Sequence, residues 1–179
     1  MGHNGGPMTN VLRPFLDRWR LVAVLVAAAM LATAHAFETF GGYAPCTLCL
    51  RQREVYWAIL GLGAASMVLV RLPGGPRWRE ATCWVLALVF LAGCAVAVYH
   101  AGAEWKLWPG PEACAAGGSQ RFHPAELQSF LDGQKVRPPA CDEAAWVFAG
   151  LSMAGWNAVI SLGLAILSGA AAIRERRKR

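Results

Sequence analysis

Four long stretches without a charged residue organise the chain: 21–34, 55–70, 81–99 and 144–173. The third and fourth reach the ~18 apolar residues that a membrane-crossing helix needs, and the first two fall short unless extended. Continuing the first through His35, Ala36 and Phe37 and starting the second near Cys46 gives helices at about 18–37, 46–71, 80–101 and 144–173. The second then carries Arg51, Arg53 and Glu54 in its outermost turns, at headgroup level, where long side chains snorkel into water. Gly61, Gly63, Ala64 and Ala65 in that helix predict close helix contact, and Asn157 in the fourth must face another helix rather than lipid. Tyr56 and Trp57 read as an aromatic belt at the outer interface. The pattern therefore predicts an all-α membrane protein: a four-transmembrane-helix bundle forming a single integral membrane domain over 1–179.

The connections differ in kind. Residues 38–44, with Gly41-Gly42, and the turn Pro73-Gly74-Gly75-Pro76 are short. The third connection, about 102–143, is too long to be a mere link. Inside it, His123-Pro124 and Gly133 supply start and stop signals, and Leu127, Phe130 and Leu131 fall on one face. A short helix lying on the membrane surface is expected there.

Composition agrees, with 56% hydrophobic and 16% charged residues, the latter well under the ~25% of ordinary soluble domains. The net charge of +6 is unevenly placed. Arg13, Arg18 and Arg20 precede the first helix, Arg71, Arg77 and Arg79 flank the Pro-Gly turn, and Arg174, Arg176, Arg177, Lys178 and Arg179 end the chain. The long connection holds four basic residues against six acidic ones. By the positive-inside rule both termini are cytoplasmic and the long loop faces outward, in a bacterium the oxidising periplasm. This accounts for the charge without a nucleic-acid site. A cleaved signal peptide is the competing reading of the N-terminus, with Arg13, Arg18 and Arg20 before an apolar core at 21–30 and Ala32-Thr33-Ala34 or Ala34-His35-Ala36 as a cleavage site.

The chemistry concentrates at Pro45-Cys46-Thr47-Leu48-Cys49-Leu50-Arg51-Gln52-Arg53. Proline suits a first helical position. At 3.6 residues per turn Cys46 and Cys49 lie about 60° apart on one face, joined there by Arg53, while Arg51 points away. A helix N-terminus and a nearby guanidinium both favour thiolate over thiol, so the pair reads as a redox dithiol. Zinc and a structural disulfide are the alternatives, but no second C-x-x-C is present to complete a four-ligand site, and no metal is expected. Cys83 and Cys94 stand eleven residues apart in the third helix, about 16 Å along it and beyond disulfide reach; packing as small apolar residues is the simple reading. Cys114 and Cys141 in the long loop can pair as a structural disulfide or serve as a second exchange pair. His100, at the depth of the C-x-x-C, can offer a hydrogen bond or proton, and His35 reads as an interfacial histidine.

Taken together, the P-C-T-L-C motif with Arg53 four residues on, the two loop cysteines, and the run from Cys141 through Glu143, Trp146, Phe148, Gly150, Leu151 and Met153 to Trp156 resemble the DsbB family of disulfide-bond formation proteins. The resemblance spans about 15–170 and implies an inner-membrane thiol:quinone oxidoreductase. It would re-oxidise a periplasmic DsbA-like dithiol oxidase of thioredoxin fold and pass the electrons to the membrane quinone pool, ubiquinone first and menaquinone second. By position, Cys114 would be attacked by the partner's thiolate and Cys141 would be its bridge partner. Cys46 would take electrons from the loop pair, and Cys49 would face the quinone as a charge-transfer thiolate. Arg53 would stabilise negative charge beside the ring, with His100 the family's histidine near the quinone. Arg51-Gln52 departs from some relatives in being more basic.

Two other classes compete. A vitamin-K-epoxide-reductase-like protein also pairs thiols with quinones in a small bundle, but its C-x-x-C follows the loop cysteines, whereas here it precedes them. A membrane scaffold with two structural disulfides needs neither Arg53 nor a reducible loop bond.

Overall fold

The computed structural model describes residues 14–111 and 141–179. The expected surface helix within the long connection, and Cys114 with it, lie outside the described residues. Four long helices carry the fold: α1 (Trp19–Thr39), α2 (Thr47–Leu69), α3 (Gly75–Glu104) and α4 (Met153–Arg177). α3 and α4 pack most extensively on each other, and α2 sits against both α1 and α3.

The inward faces mix small and polar residues with large apolar ones. α1 buries Trp19, Ala23, Ala27 and Leu31, one residue per turn, so its backbone approaches its neighbours closely. α2 buries Leu48, Gln52, Tyr56, Ile59, Gly63 and Ser66 at spacings of three and four. Leu25, Leu88 and Ile166 instead point outward, each more than half exposed. Helices apolar on the outside with polar groups between them are arranged for lipid, not for water. Cys83 and Cys94 are free thiols buried in α3.

Three of these helices, α1, α3 and α4, are long and apolar enough to cross a membrane. α2 is not among them, because Arg51, Gln52, Arg53 and Glu54 crowd its first two turns. The bundle is a helical membrane protein with three such spans shown, where four were expected.

Element ends also differ from expectation. α3 starts at Gly75, earlier than 80, because Gly74 takes a left-handed φ of +87° and Pro76 follows at the first helical positions. α4 starts at Met153, not near 144. The intervening apolar residues form a two-stranded antiparallel hairpin, β1 (Val147–Phe148) and β2 (Leu151–Ser152). Its turn residues Ala149 and Gly150 have φ of +50° and +80°, the two positive values that a tight hairpin turn requires. Ser152 then caps α4, its side chain accepting from the Gly155 N–H. Tyr56 is buried in the bundle rather than belted at the interface, whereas Trp57 is exposed. Of the small residues in α2, Gly63 is the contact point, since a Cβ there would meet Val24 at 2.0 Å; Gly61 faces open space.

At one end of the bundle the chain's basic flank is tied together. Arg174 and Lys178 bond Asp17 at 2.9 and 2.5 Å, and Arg179 reaches Glu80 at 2.8 Å. The C-x-x-C lies at the other end.

Candidate functional site

Cys46 stands at the N-cap of α2 with extended backbone, and its Sγ accepts from the Cys49 backbone N–H at 3.3 Å. The two sulfurs are 3.0 Å apart and both thiols are free. His100, one turn before the end of α3, places Nε2 at 3.6 Å from Cys46 Sγ. Cys46, just outside the helix, is held well below the usual thiol range by the hydrogen bond it shares with Cys49, then by His100, against the opposing effect of burial. Within the reduced pair this favours charge on Cys46, whereas the resemblance puts the charge-transfer thiolate on Cys49.

His100 is held by a chain of polar side chains that crosses three helices. Its Nδ1 lies 2.7 Å from Gln52 Nε2 of α2. Asn157 of α4 donates to Gln52 Oε1, and Tyr56 donates its hydroxyl to Asn157 Oδ1. Ser161 closes the chain at 3.3 Å from the Tyr56 hydroxyl. Each member is buried, so each is worth keeping paired. On the other side, Glu104 Oε1 is 3.7 Å from His100 Nε2, and Ser152 donates to Glu104 Oε2.

Arg53 lies on the same helix face as the cysteines, but its charge is already partnered. Its guanidinium bonds Glu38 at 2.5 Å and the Ala34 carbonyl at 3.1 Å. Arg51 points away and pairs with Glu54 on the surface. His35 is half exposed near Glu38.

These groups surround one cavity of about 420 Å³ between the helices. Cys46, Cys49, Arg53, His100 and Glu104 are among its polar lining, and aliphatic and aromatic side chains such as Leu31 and Phe37 supply much of the rest. An apolar cavity with a few convergent polar groups is the usual form of a small-molecule site. Cys141 is disulfide-bonded and wholly buried against Cys46 and Leu48, with its Sγ 3.4 Å from Thr47 Oγ1. The oxidised loop cysteine thus sits beside the free dithiol.

Among the described residues, Cys46, Cys49 and His100 bring three donor atoms within 4.8 Å of one another, one fewer than the four ligands of a structural zinc site.

Comparison with known proteins settles the family. Residues 17–171 match the family model described as "Disulfide bond formation protein DsbB". The chain belongs to the DsbB family. Relatives named "Disulfide bond formation protein B" include one from Marinobacter nauticus, 35% identical over 163 residues, which are 84% of this chain and 92% of that protein. Another, from Methylococcus capsulatus, is 31% identical over 153 residues, 83% and 88% of the two chains. "Disulfide bond formation protein B 2" of Pseudomonas putida is 33% identical over 152 residues, covering 82% and 84%. As a DsbB-family member the chain is a membrane-embedded disulfide bond formation protein, an oxidoreductase by family. The vitamin-K-epoxide-reductase-like and scaffold readings fall away.

Within this DsbB-family chain, the structure brings Cys46, Cys49, Arg53 and His100 to one cavity and Cys141 to its edge; Cys114 lies outside the described residues. Sequence reasoning missed Glu38 and Glu104. Glu38 is the single acid in the connection to the C-x-x-C, and Glu104 follows His100 at the spacing of one helical turn. Those were the signals available.

Proposed function

We propose that the protein is a thiol:quinone oxidoreductase that re-oxidises a periplasmic DsbA-like dithiol oxidase and passes the electrons through two cysteine pairs to quinone. The observation that carries this reading is the free Cys46–Cys49 dithiol lining an apolar cavity, with disulfide-bonded Cys141 packed against it.

Cys114 accepts the partner's thiolate, and breaking its bond to Cys141 frees the Cys141 thiolate. Cys141, already beside Cys46, attacks that sulfur of the oxidised Cys46–Cys49 pair; a Cys46–Cys141 disulfide forms, the Cys46–Cys49 bond breaks, and Cys49 leaves as the thiolate that carries the electron pair. Exchange of this kind runs by thiolate attack through a mixed disulfide, so burial of Cys141 against Cys46 confines it to the intended sulfur. The quinone, when bound, supplies a two-electron, two-proton acceptor, ubiquinone before menaquinone. Cys46 and Cys49 face the cavity it would fill, and His100 and Arg53 offer N–H donors there, Arg53 with its charge moderated by Glu38. The aliphatic lining keeps water from the dithiol. α2 completes a four-span bundle, its Arg51 and Glu54 held at the surface by pairing with each other. Both termini are cytoplasmic, and the cysteine end of the bundle faces the periplasm, opposite the basic flank.

Trapping tests the relay. A DsbA-like protein with its attacking cysteine kept and the second replaced by serine should form a disulfide-linked complex with this chain. Loss of that complex in Cys114→Ala, but not in Cys49→Ala, is the expected result. A complex that survives Cys114→Ala would overturn the assigned order.

A further inference from the structure

Glu104 is a buried acid that the relay leaves without a role. It ends α3 one turn after His100, its side chain only 5% exposed, in the wall of the cavity. Its oxygens have different neighbours: Oε2 accepts from Ser152, and Oε1 faces His100 Nε2 at 3.7 Å. That same nitrogen is 3.6 Å from Cys46 Sγ. Because Gln52 Nε2 donates to His100 Nδ1, the neutral ring carries its proton on Nε2. One buried N–H therefore stands between two groups that can each become anionic.

Among the described residues, the surroundings supply little else to hold two negative charges. From α2, Cys49 and Tyr56 face the cavity with no positive charge to offer, and Arg53 is committed to Glu38 of α1. Glu143, from the segment before the hairpin, adds another acid, and Asn157 of α4 is neutral. Lys106, just beyond Glu104, is paired with Asp142 at 2.6 Å. With Cys46 and Glu104 both ionised, a single N–H would face two desolvated anions. With one proton between them, the N–H serves whichever group is charged, and the buried charge does not grow.

We propose that Cys46 and Glu104 hold one proton between them across His100, so that Glu104 becomes protonated as Cys46 becomes a thiolate. In this step the Cys46 S–H bond breaks and a Glu104 O–H bond forms. Thiol plus carboxylate becomes thiolate plus carboxylic acid, with no electron moved and no change in net charge. Glu104 is a positioning residue: it stores beside the cavity a proton that would otherwise leave for bulk water. The inference rests on Cys46 and Cys49 being the redox dithiol, and it adds the proton partner of that pair.

The test is infrared difference spectroscopy of the full chain in detergent, oxidised minus reduced, with the Cys46–Cys49 pair cycled chemically and no quinone added. Reduction should raise a protonated-carboxyl C=O band that disappears in Glu104→Gln, returns in Glu104→Asp, and is unchanged in Glu143→Gln. In parallel, iodoacetamide alkylation of Cys46, followed across pH by peptide mass spectrometry, should show two inflections in the native protein and one in Glu104→Gln. A band that persists in Glu104→Gln, or the same alkylation profile in both proteins, overturns the proposal. Failure of Cys46 and Cys49 to form a disulfide on oxidation would instead count against the redox reading, while the alkylation profile still decides for or against the shared proton.

Discussion

Replacing Asn157 with leucine should loosen the bundle and disturb Cys46, more than 100 residues away in sequence. Asn157 is 7% exposed and joins two helices: its amide donates to Gln52, and its carbonyl accepts from Tyr56. In Asn157→Leu the Tyr56 hydroxyl keeps Ser161 at 3.3 Å, but Gln52 Oε1 loses the donor shown for it. One orphaned buried acceptor costs about 1–3 kcal/mol, and interhelical hydrogen bonds in lipid average only ~0.6 kcal/mol. Added leucine packing offsets part of this, leaving a loss of roughly 1–2 kcal/mol. Tyr56→Phe should cost less, under about 1 kcal/mol, because Asn157 Oδ1 retains Ser161 at 3.4 Å. Unfolding in mixed SDS micelles measures both losses. The released Gln52 amide no longer fixes the His100 ring, so the pH midpoint for Cys46 alkylation should rise toward the ordinary thiol range in Asn157→Leu. Equal losses in the two variants, or an unmoved midpoint in Asn157→Leu, would refute the view that this chain of side chains holds the histidine.

Further expectations concern packing, acid stability and the charge on Arg53. Gly63→Ala puts a methyl 2.0 Å from Val24 Cγ2 and should cost about 1–3 kcal/mol of overpacking, whereas Gly61→Ala, with nothing within 4 Å, should be neutral or stabilising in the same unfolding assay. Hydrogen bonds from Arg174 and Lys178 depress the Asp17 carboxyl below its ordinary value of 3.8. Its stabilising effect is therefore complete above about pH 4 and fades as pH falls toward the folded-state value. Because the group is well exposed, that effect stays within about 1 kcal/mol, and melting from pH 7 to pH 3 should fall less in Asp17→Asn than in the native chain. Glu38→Gln leaves Arg53 its bond to Ala34 but removes its counter-charge, so an acidic quinone analogue should bind up to about tenfold more tightly, or 1.4 kcal/mol; weaker binding in a titration would contradict the assigned role of the pair.

Much of the site could be read from the chain because it depends on local geometry. Helical spacing alone puts Cys46, Cys49 and Arg53 on one face and turns Arg51 away, and the structure shows that arrangement. Asn157 could be placed against another helix because lipid cannot satisfy an amide, although its partners could not be named. The start of α4 was not legible: residues 144–152 are as apolar as a helix, and only the positive φ of Ala149 and Gly150 separates them from it. Tyr56 was misplaced because an aromatic near a helix end fits both a belt and a buried hydroxyl, and only Asn157 across the interface decides between them. Glu38 and Glu104 escaped notice for the same reason. Each matters through a partner on another helix or through a histidine whose direction sequence does not give. The arginines and glutamate that make α2 chemically useful also dilute the hydropathy that would identify it as a span.

Electrons from an external dithiol should reach a quinone through Cys49. The most direct measurement mixes the purified protein in detergent with a ubiquinone analogue and a reduced DsbA-like protein, and follows quinone absorbance. Rapid reduction that is abolished in Cys49→Ala and in Cys114→Ala is the predicted result. Absence of reduction with both ubiquinone and menaquinone analogues, or reduction that persists without Cys49, would contradict it.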